Sequence, residues 1–107
     1  MRQYTPVRGR VYMADVGSGR KPWLVVSNNA RNRHLDSCLA VRITTTPKPP
    51  LKSIVQLGPG EPVVGRILCD DIAVIFDDEL VEDRGALSPL TMDAVAAALK
   101  VALGLNT

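Results

Sequence analysis

The sequence predicts a mainly β domain of about six short strands, curled into a sheet or partly open barrel, with one amphipathic helix packed on it. Three observations carry that prediction. Short runs of β-branched and apolar residues alternate with Gly- and Pro-rich punctuation from residue 8 to residue 87. The hydrophobic period then changes to that of a helix over residues 88–104. The chain has 107 residues, 46% of them apolar, enough for one core and few for a second. A single domain over 1–107 is expected, with residues 1–7 a flexible polar arm and 88–104 the C-terminal helix.

In chain order, "RGRVYMADV" alternates well enough to be a first strand. "GSG" is a turn, and "PWLVVSN" is a nearly continuous apolar strand, as expected where both faces are covered. "NARNRHLDS" is polar and suits a helical turn or a loop. In "CLAVRITTT", Leu39, Val41 and Ile43 point one way while Arg42, Thr44 and Thr46 point the other. "PKPP" stops that strand, because proline cannot donate to a ladder. "LKSIVQL", "VVGRILCD" and "IAVIF" read as further strands, and "EDRGAL" as a last short one. In "SPLTMDAVAAALKVALG", Ser88 caps a helix whose first turn accepts Pro89. Its buried stripe is Met92, Val95, Ala96, Leu99, Ala102 and Leu103, and Gly104 stops it.

Charge is unevenly spread along the chain. Residues 1–52 hold ten Lys/Arg against Asp15 and Asp36, whereas residues 53–107 hold three Lys/Arg against nine acids. A basic half of this kind suits an anionic partner. Cys38 and Cys69 lack companions at metal-ligand spacing and are expected as buried free thiols. No apolar stretch approaches the ~20 residues that span a bilayer, and "MRQYTPVRGR" lacks the apolar segment of a signal peptide. A cytoplasmic protein without a membrane partner is expected.

The chemistry-bearing residues narrow the choice. His34 is the only histidine, and nothing around it marks a nucleophile elbow. Asp70, Asp71, Asp77 and Asp78 lack the spacing of a metal loop and read as a solvated acidic edge, so no metal or cofactor is expected. "GSGRK" is followed by Pro22 and a strand instead of Ser/Thr and a helix, which excludes a P-loop. What remains is cationic and hydroxylic. Arg20 and Lys21 stand at the mouth of one strand, and Arg42 and Thr44 share a face of another. With a Gly-rich turn, such groups make a clamp for a phosphodiester. They can stabilise a pentacoordinate transition state without a metal. In RNA the attacking group is already present as the neighbouring 2′-hydroxyl.

In combination, the segments resemble the MazF/PemK family of toxin endoribonucleases over about residues 8 to 105, in order. "RGRVYMADV" is similar to the family's opening strand, "RKPWLVVSN" to its "RPVLVVSN" strand and "VRITTT" to its "P-I-T-[ST]" strand. "ILCDDIAVI" is similar to "D-Q-I-R-T-I", and "LSPLTMDAVAAALKVALGL" to the closing helix. The resemblance implies an SH3-like small β-barrel with a C-terminal helix, assembled as a homodimer. It implies sequence-specific, metal-independent cleavage of single-stranded RNA, leaving a 2′,3′-cyclic phosphate and a 5′-hydroxyl, under the control of a MazE-like antitoxin. Its catalytic residues carry over to Arg20, Lys21 and Thr44, and its RNA contacts to Ser18, Gly19, Arg42, Thr45 and Thr46.

One departure is specific. The family's catalytic Arg precedes the Pro of "RPV", and that position here is Lys21, with Arg20 one place earlier. Lysine is a point charge without arginine's planar fork, so the exchange is not conservative. Either Lys21 takes the role, or Arg20 or Arg42 supplies the guanidinium. Trp23, on the face of Lys21 by period two, suits the core or an interface better than a base stack. Two other classes compete. A CcdB-like toxin on the same barrel binds a protein target such as DNA gyrase through C-terminal residues including a Trp, whereas this chain ends "LGLNT". The other is a catalytically dead member that only binds RNA or antitoxin.

Overall fold

A computed structural model describes residues 3–105. Six strands form one antiparallel sheet: β1 (Arg10–Asp15), β2 (Arg20–Val25), β3 (Ser37–Thr44), β4 (Ile54–Gln56), β5 (Arg66–Phe76) and β6 (Leu80–Ala86). Two helices, α1 (Asn29–His34) and α2 (Pro89–Leu103), complete it. The strand order is β4-β5-β3-β2-β1-β6, so the ladder has two edges and the sheet is open. The mainly β class and the terminal helix agree with expectation; the barrel is the partly open variant. The two segments expected as separate strands, "VVGRILCD" and "IAVIF", are one strand, β5. The register with β3 slips where Val41↔Ile72 gives way to Arg42↔Leu68. Cys69, Asp70 and Asp71 form the excess, and a bulge of this kind bends one long strand where two were expected.

The sheet buries side chains on both faces. On one, Val11, Leu24, Val41, Ile43, Ile67 and Cys69 pack against Val95 and Ala98 of α2. On the other, Tyr12, Ala14, Trp23, Val25, Cys38, Ala40, Ile75 and Leu80 form a second core. Residues 3–7, expected as a flexible arm, are laid on that second core. Pro6 is fully buried, the Tyr4 ring sits 5.7 Å from that of Tyr12, and the Val7 N–H donates to the Tyr12 hydroxyl at 3.2 Å. Residues 1 and 2 lie outside the described residues.

Local signals set both helices. Asn28 caps α1 by accepting from the Arg31 N–H at 2.8 Å, and fully buried Asn32 exchanges hydrogen bonds with Ser27. Ser88 caps α2 with Pro89 in its first turn, and Gly104 at φ 69° closes it, the Leu105 N–H reaching the Lys100 carbonyl. The stripe differs from expectation at two places: Ala98 is buried, and Leu103 is 56% exposed. Val101 and Leu105 are also exposed, so of the apolar side chains at this end only Ala102 packs against the sheet's core. Among the described residues, no helix is long and apolar enough to cross a membrane.

Candidate nucleic-acid interface

The site is built where β2 and β3 part. Their ladder runs Val25↔Ala40, Leu24↔Val41 and ends at Trp23↔Arg42. Side chains two apart share a face, so the next residues on the Trp23–Arg42 face are Lys21 of β2 and Thr44 of β3. Both are half-buried. Arg20, one residue earlier, faces the other way and is exposed, with its backbone opposite Asp15. The structure thus brings Lys21, Arg42 and Thr44 to one face and leaves Arg20 at the outer mouth.

Thr44 is held in a defined pose. Its Oγ1 accepts from the Thr46 N–H at 3.1 Å, which leaves the hydroxyl hydrogen for another acceptor. Arg66, opposite Thr44 on β5, donates to the Thr45 carbonyl at 3.4 Å. Gly65 precedes it at φ 122°, and a Cβ there would stand 2.4 Å from the Thr44 carbonyl oxygen, so only glycine lets β5 approach this turn. Sequence reasoning missed Gly65 and Arg66, because both act through strand pairing that no local pattern encodes.

The glycine turn behaves differently from expectation. The N–H groups of Gly17 and Gly19 donate to Asp15 Oδ1 at 2.9 and 3.2 Å. The turn's own carboxylate therefore occupies two of the donors that a phosphate clamp was expected to use. Ser18 remains exposed at the tip beside Arg20. Asp15 ahead of "GSG" is an Asx-turn signal that could have shown this from sequence.

Two buried donors on this face have no partner among the described residues: Arg42 Nε and Trp23 Nε1. They occupy paired positions, Trp23↔Arg42. An unpaired buried donor costs about 1–3 kcal/mol, so a juxtaposed pair is a feature that an incoming acceptor would relieve. Trp23 itself is 5% exposed and belongs to the second core, which removes it as an open stacking platform.

The other chemistry-bearing residues lie elsewhere. His34 is exposed at the end of α1, its Nδ1 2.7 Å from the Ala30 carbonyl. Both thiols are free and buried; burial pushes Cys38 up to about 12 and Cys69 up to about 11, so neither is a nucleophile at neutral pH. Asp70 accepts a hydrogen bond from Ser53.

Comparison with known proteins identifies the company this site keeps. Residues 7–103 match the family model of the PemK-like, MazF-like toxin of type II toxin–antitoxin systems. The chain is 47% identical over 100 residues to endoribonuclease MazF4 of Mycobacterium tuberculosis strain H37Rv, covering 94% of each protein. Endoribonuclease MazF1 of Mycobacterium bovis matches at the same identity and coverage. Its fold superposes on a mycobacterial endoribonuclease solved with its cognate antitoxin at a TM-score of 0.92 and 46% identity, covering 95% of this chain and 98% of that one. A MazE–MazF complex from Deinococcus radiodurans, 24% identical, shares the fold at 0.83, covering 97% of this chain and 100% of that one.

Proposed function

We propose that this chain, which belongs to the PemK-like, MazF-like family of type II toxin–antitoxin toxins, is a metal-independent endoribonuclease that cleaves single-stranded RNA at specific sequences. The observation that carries the reading is the convergence of Lys21, Arg42 and Thr44 on one face at the mouth of the β2–β3 ladder, with the buried Arg42 Nε still unpaired. The substrate's 2′-oxygen attacks the adjacent phosphorus, forming the cyclic 2′-O–P bond as the P–O5′ bond breaks. One proton leaves the 2′-hydroxyl and one reaches the departing 5′-oxygen. Thr44 donates its hydroxyl hydrogen to a non-bridging phosphoryl oxygen. Lys21 carries the charge and proton-transfer role, since it shares the Thr44 face. Arg20 attracts the phosphate from the mouth, and Arg42 donates from below. Ser18, Gly19, Thr45 and Thr46 contact flanking nucleotides.

Assembly follows the same reading. Ile72, Val74 and Phe76 are exposed at alternate positions of β5, on the face that α2 covers farther along the sheet. Such a stripe suits burial against a second copy, and we assign the protein as a cytoplasmic homodimer. A MazE-like antitoxin restrains it by covering the RNA face.

The test is to incubate the protein, freed of antitoxin, with long mixed-sequence RNA in excess EDTA and to map the new ends. Discrete cuts bearing 5′-hydroxyls and 2′,3′-cyclic phosphates are expected. A folded protein that cuts nothing would leave a non-catalytic binding toxin as the reading.

A further inference from the structure

We infer that the groove between β5, β4 and the 47–52 loop is a phosphate track for nucleotides flanking the cut; this rests on the proposed function and extends it to residues that neither the family motifs nor the relatives' names assign. Thr44 pairs with Arg66, and Arg66 pairs with Gln56. Directly opposed residues share a face, so Thr44, Arg66 and Gln56 form one row running across three strands. Lys21 stands at its other end. The row below it is Trp23, Arg42, Leu68 and Ile54. A chain bound over Lys21 and Thr44 and continuing across the strands is therefore delivered to Arg66. Two strand spacings, about 10 Å, take it from Thr44 to Gln56.

There the surface opens into a groove of about 410 Å³ lined by Arg66, Gln56 and Ile54 on the sheet side and by Lys48 and Lys52 on the loop side. No acid lines it. Among the described residues, no carboxylate lies within ion-pair distance of Lys48, Lys52 or Arg66. The loop is stiffened by Pro47, Pro49 and Pro50 and tied by hydrogen bonds from the Leu51 N–H to the Pro49 carbonyl and from the Ile54 N–H to the Leu51 carbonyl. Its lysines are thereby presented from a restrained backbone. The larger cleft, about 600 Å³, sets Arg33 and His34 against Asp36, Asp77, Asp78 and Glu79 and suits a polyanion poorly. Volume alone would have chosen the wrong groove; charge decides between them.

The test compares two RNAs made uncleavable by a 2′-deoxy substitution at the cut: a short one spanning only that step, and one extended by several nucleotides on both sides. Each is bound to the parent protein and to Lys48→Gln/Lys52→Gln over a range of salt. The parent is expected to bind the extended RNA more tightly and with a steeper salt dependence. In the double variant that advantage falls about tenfold, and the log–log salt slope drops by about 1.4, two phosphate contacts at about 0.7 each for a single strand. Binding of the short RNA reads the Lys21–Thr44 end alone. An equal long-to-short ratio and slope in both proteins would overturn the track. A variant that keeps the RNA ratio but escapes antitoxin inhibition would hand the groove to an acidic peptide instead. Failure of the parent to cut cleavable RNA would sink the catalytic reading alone, because the binding ratios do not depend on cleavage.

Discussion

The two ends of the chain's polar machinery treat their hydrogen-bonding groups in opposite ways. At the start of α2, Glu61 accepts from the Ser88 N–H and Ser88 Oγ at 3.0 Å each and from Thr91 Oγ1, while Ser88 Oγ also accepts from the Thr91 N–H. Each of those groups has a partner within the fold. At the mouth of β2 and β3, Trp23 Nε1 and Arg42 Nε are buried with none among the described residues, and Lys21 and Thr44 lie next along the same face. The first arrangement spends its polarity on holding the helix in place. The second leaves donors for an acceptor that this chain does not itself provide. Removing a group should therefore mean different things at the two places.

The largest effect is expected at Thr44. Thr44→Val keeps the side chain's shape and β-branching and removes only the hydroxyl. Cleavage should fall by about 10²–10³, the scale of losing one donor to a developing oxyanion. Stability should hardly change, because the hydroxyl's one intramolecular role is to accept from the Thr46 N–H in an exposed turn. Cleavage rates and denaturant melts on the same preparation check both halves. A variant that unfolds as it loses activity would make Thr44 structural and erase the contrast.

Arg42→Met sharpens the comparison from the other side. It retains length and apolar stem but deletes the unpaired Nε. Because that donor has no partner among the described residues, stability should rise by about 1 kcal/mol. The KM for RNA should increase by about tenfold, with a smaller change in kcat, since the charge-assisted contact is made to bound substrate. A loss of stability would mean that Arg42 belongs with the structural network.

How much of this was legible in the sequence depends on how far each signal reaches. The caps of α2 are local, and Ser88, Pro89 and Gly104 could be read directly. Period two likewise placed Arg42 with Thr44, and Lys21 with Trp23. Placing Lys21, and not Arg20, on the Thr44 face needed the register of β2 against β3. The β5 bulge, the need for glycine at Gly65 and the row through Arg66 to Gln56 were illegible for a shared reason. Each depends on which distant strand lies alongside, and alternation along one strand carries no information about its neighbour. The "GSG" turn differs in kind: Asp15 is at once the last residue of β1 and the acceptor of the Gly17 and Gly19 N–H groups, a signal that is local.

The smallest effect is expected at the satisfied end. Burial raises the Glu61 carboxyl, but the hydrogen bonds from Thr91 and Ser88 outweigh it and leave its value below the ordinary 4.5. A carboxylate held lower in the folded state than in the unfolded one stabilises the fold above the unfolded value. That contribution is lost as pH falls through the folded value. The group is half-buried at the surface, so Glu61→Gln should destabilise by about 1 kcal/mol at most at pH 7. The gap between parent and variant should close as the pH falls below the ordinary carboxylate range, as the parent's Glu61 becomes protonated as well. Denaturant midpoints across that range check it. Cleavage at pH 7 should be the same in both proteins, because the Glu61 carboxylate's hydrogen bonds go to Ser88 and Thr91 of the helix start. A gap that stays constant with pH would mean that shape, not charge, holds the helix start, and the contrast with the unpaired donors would then rest on the RNA face alone.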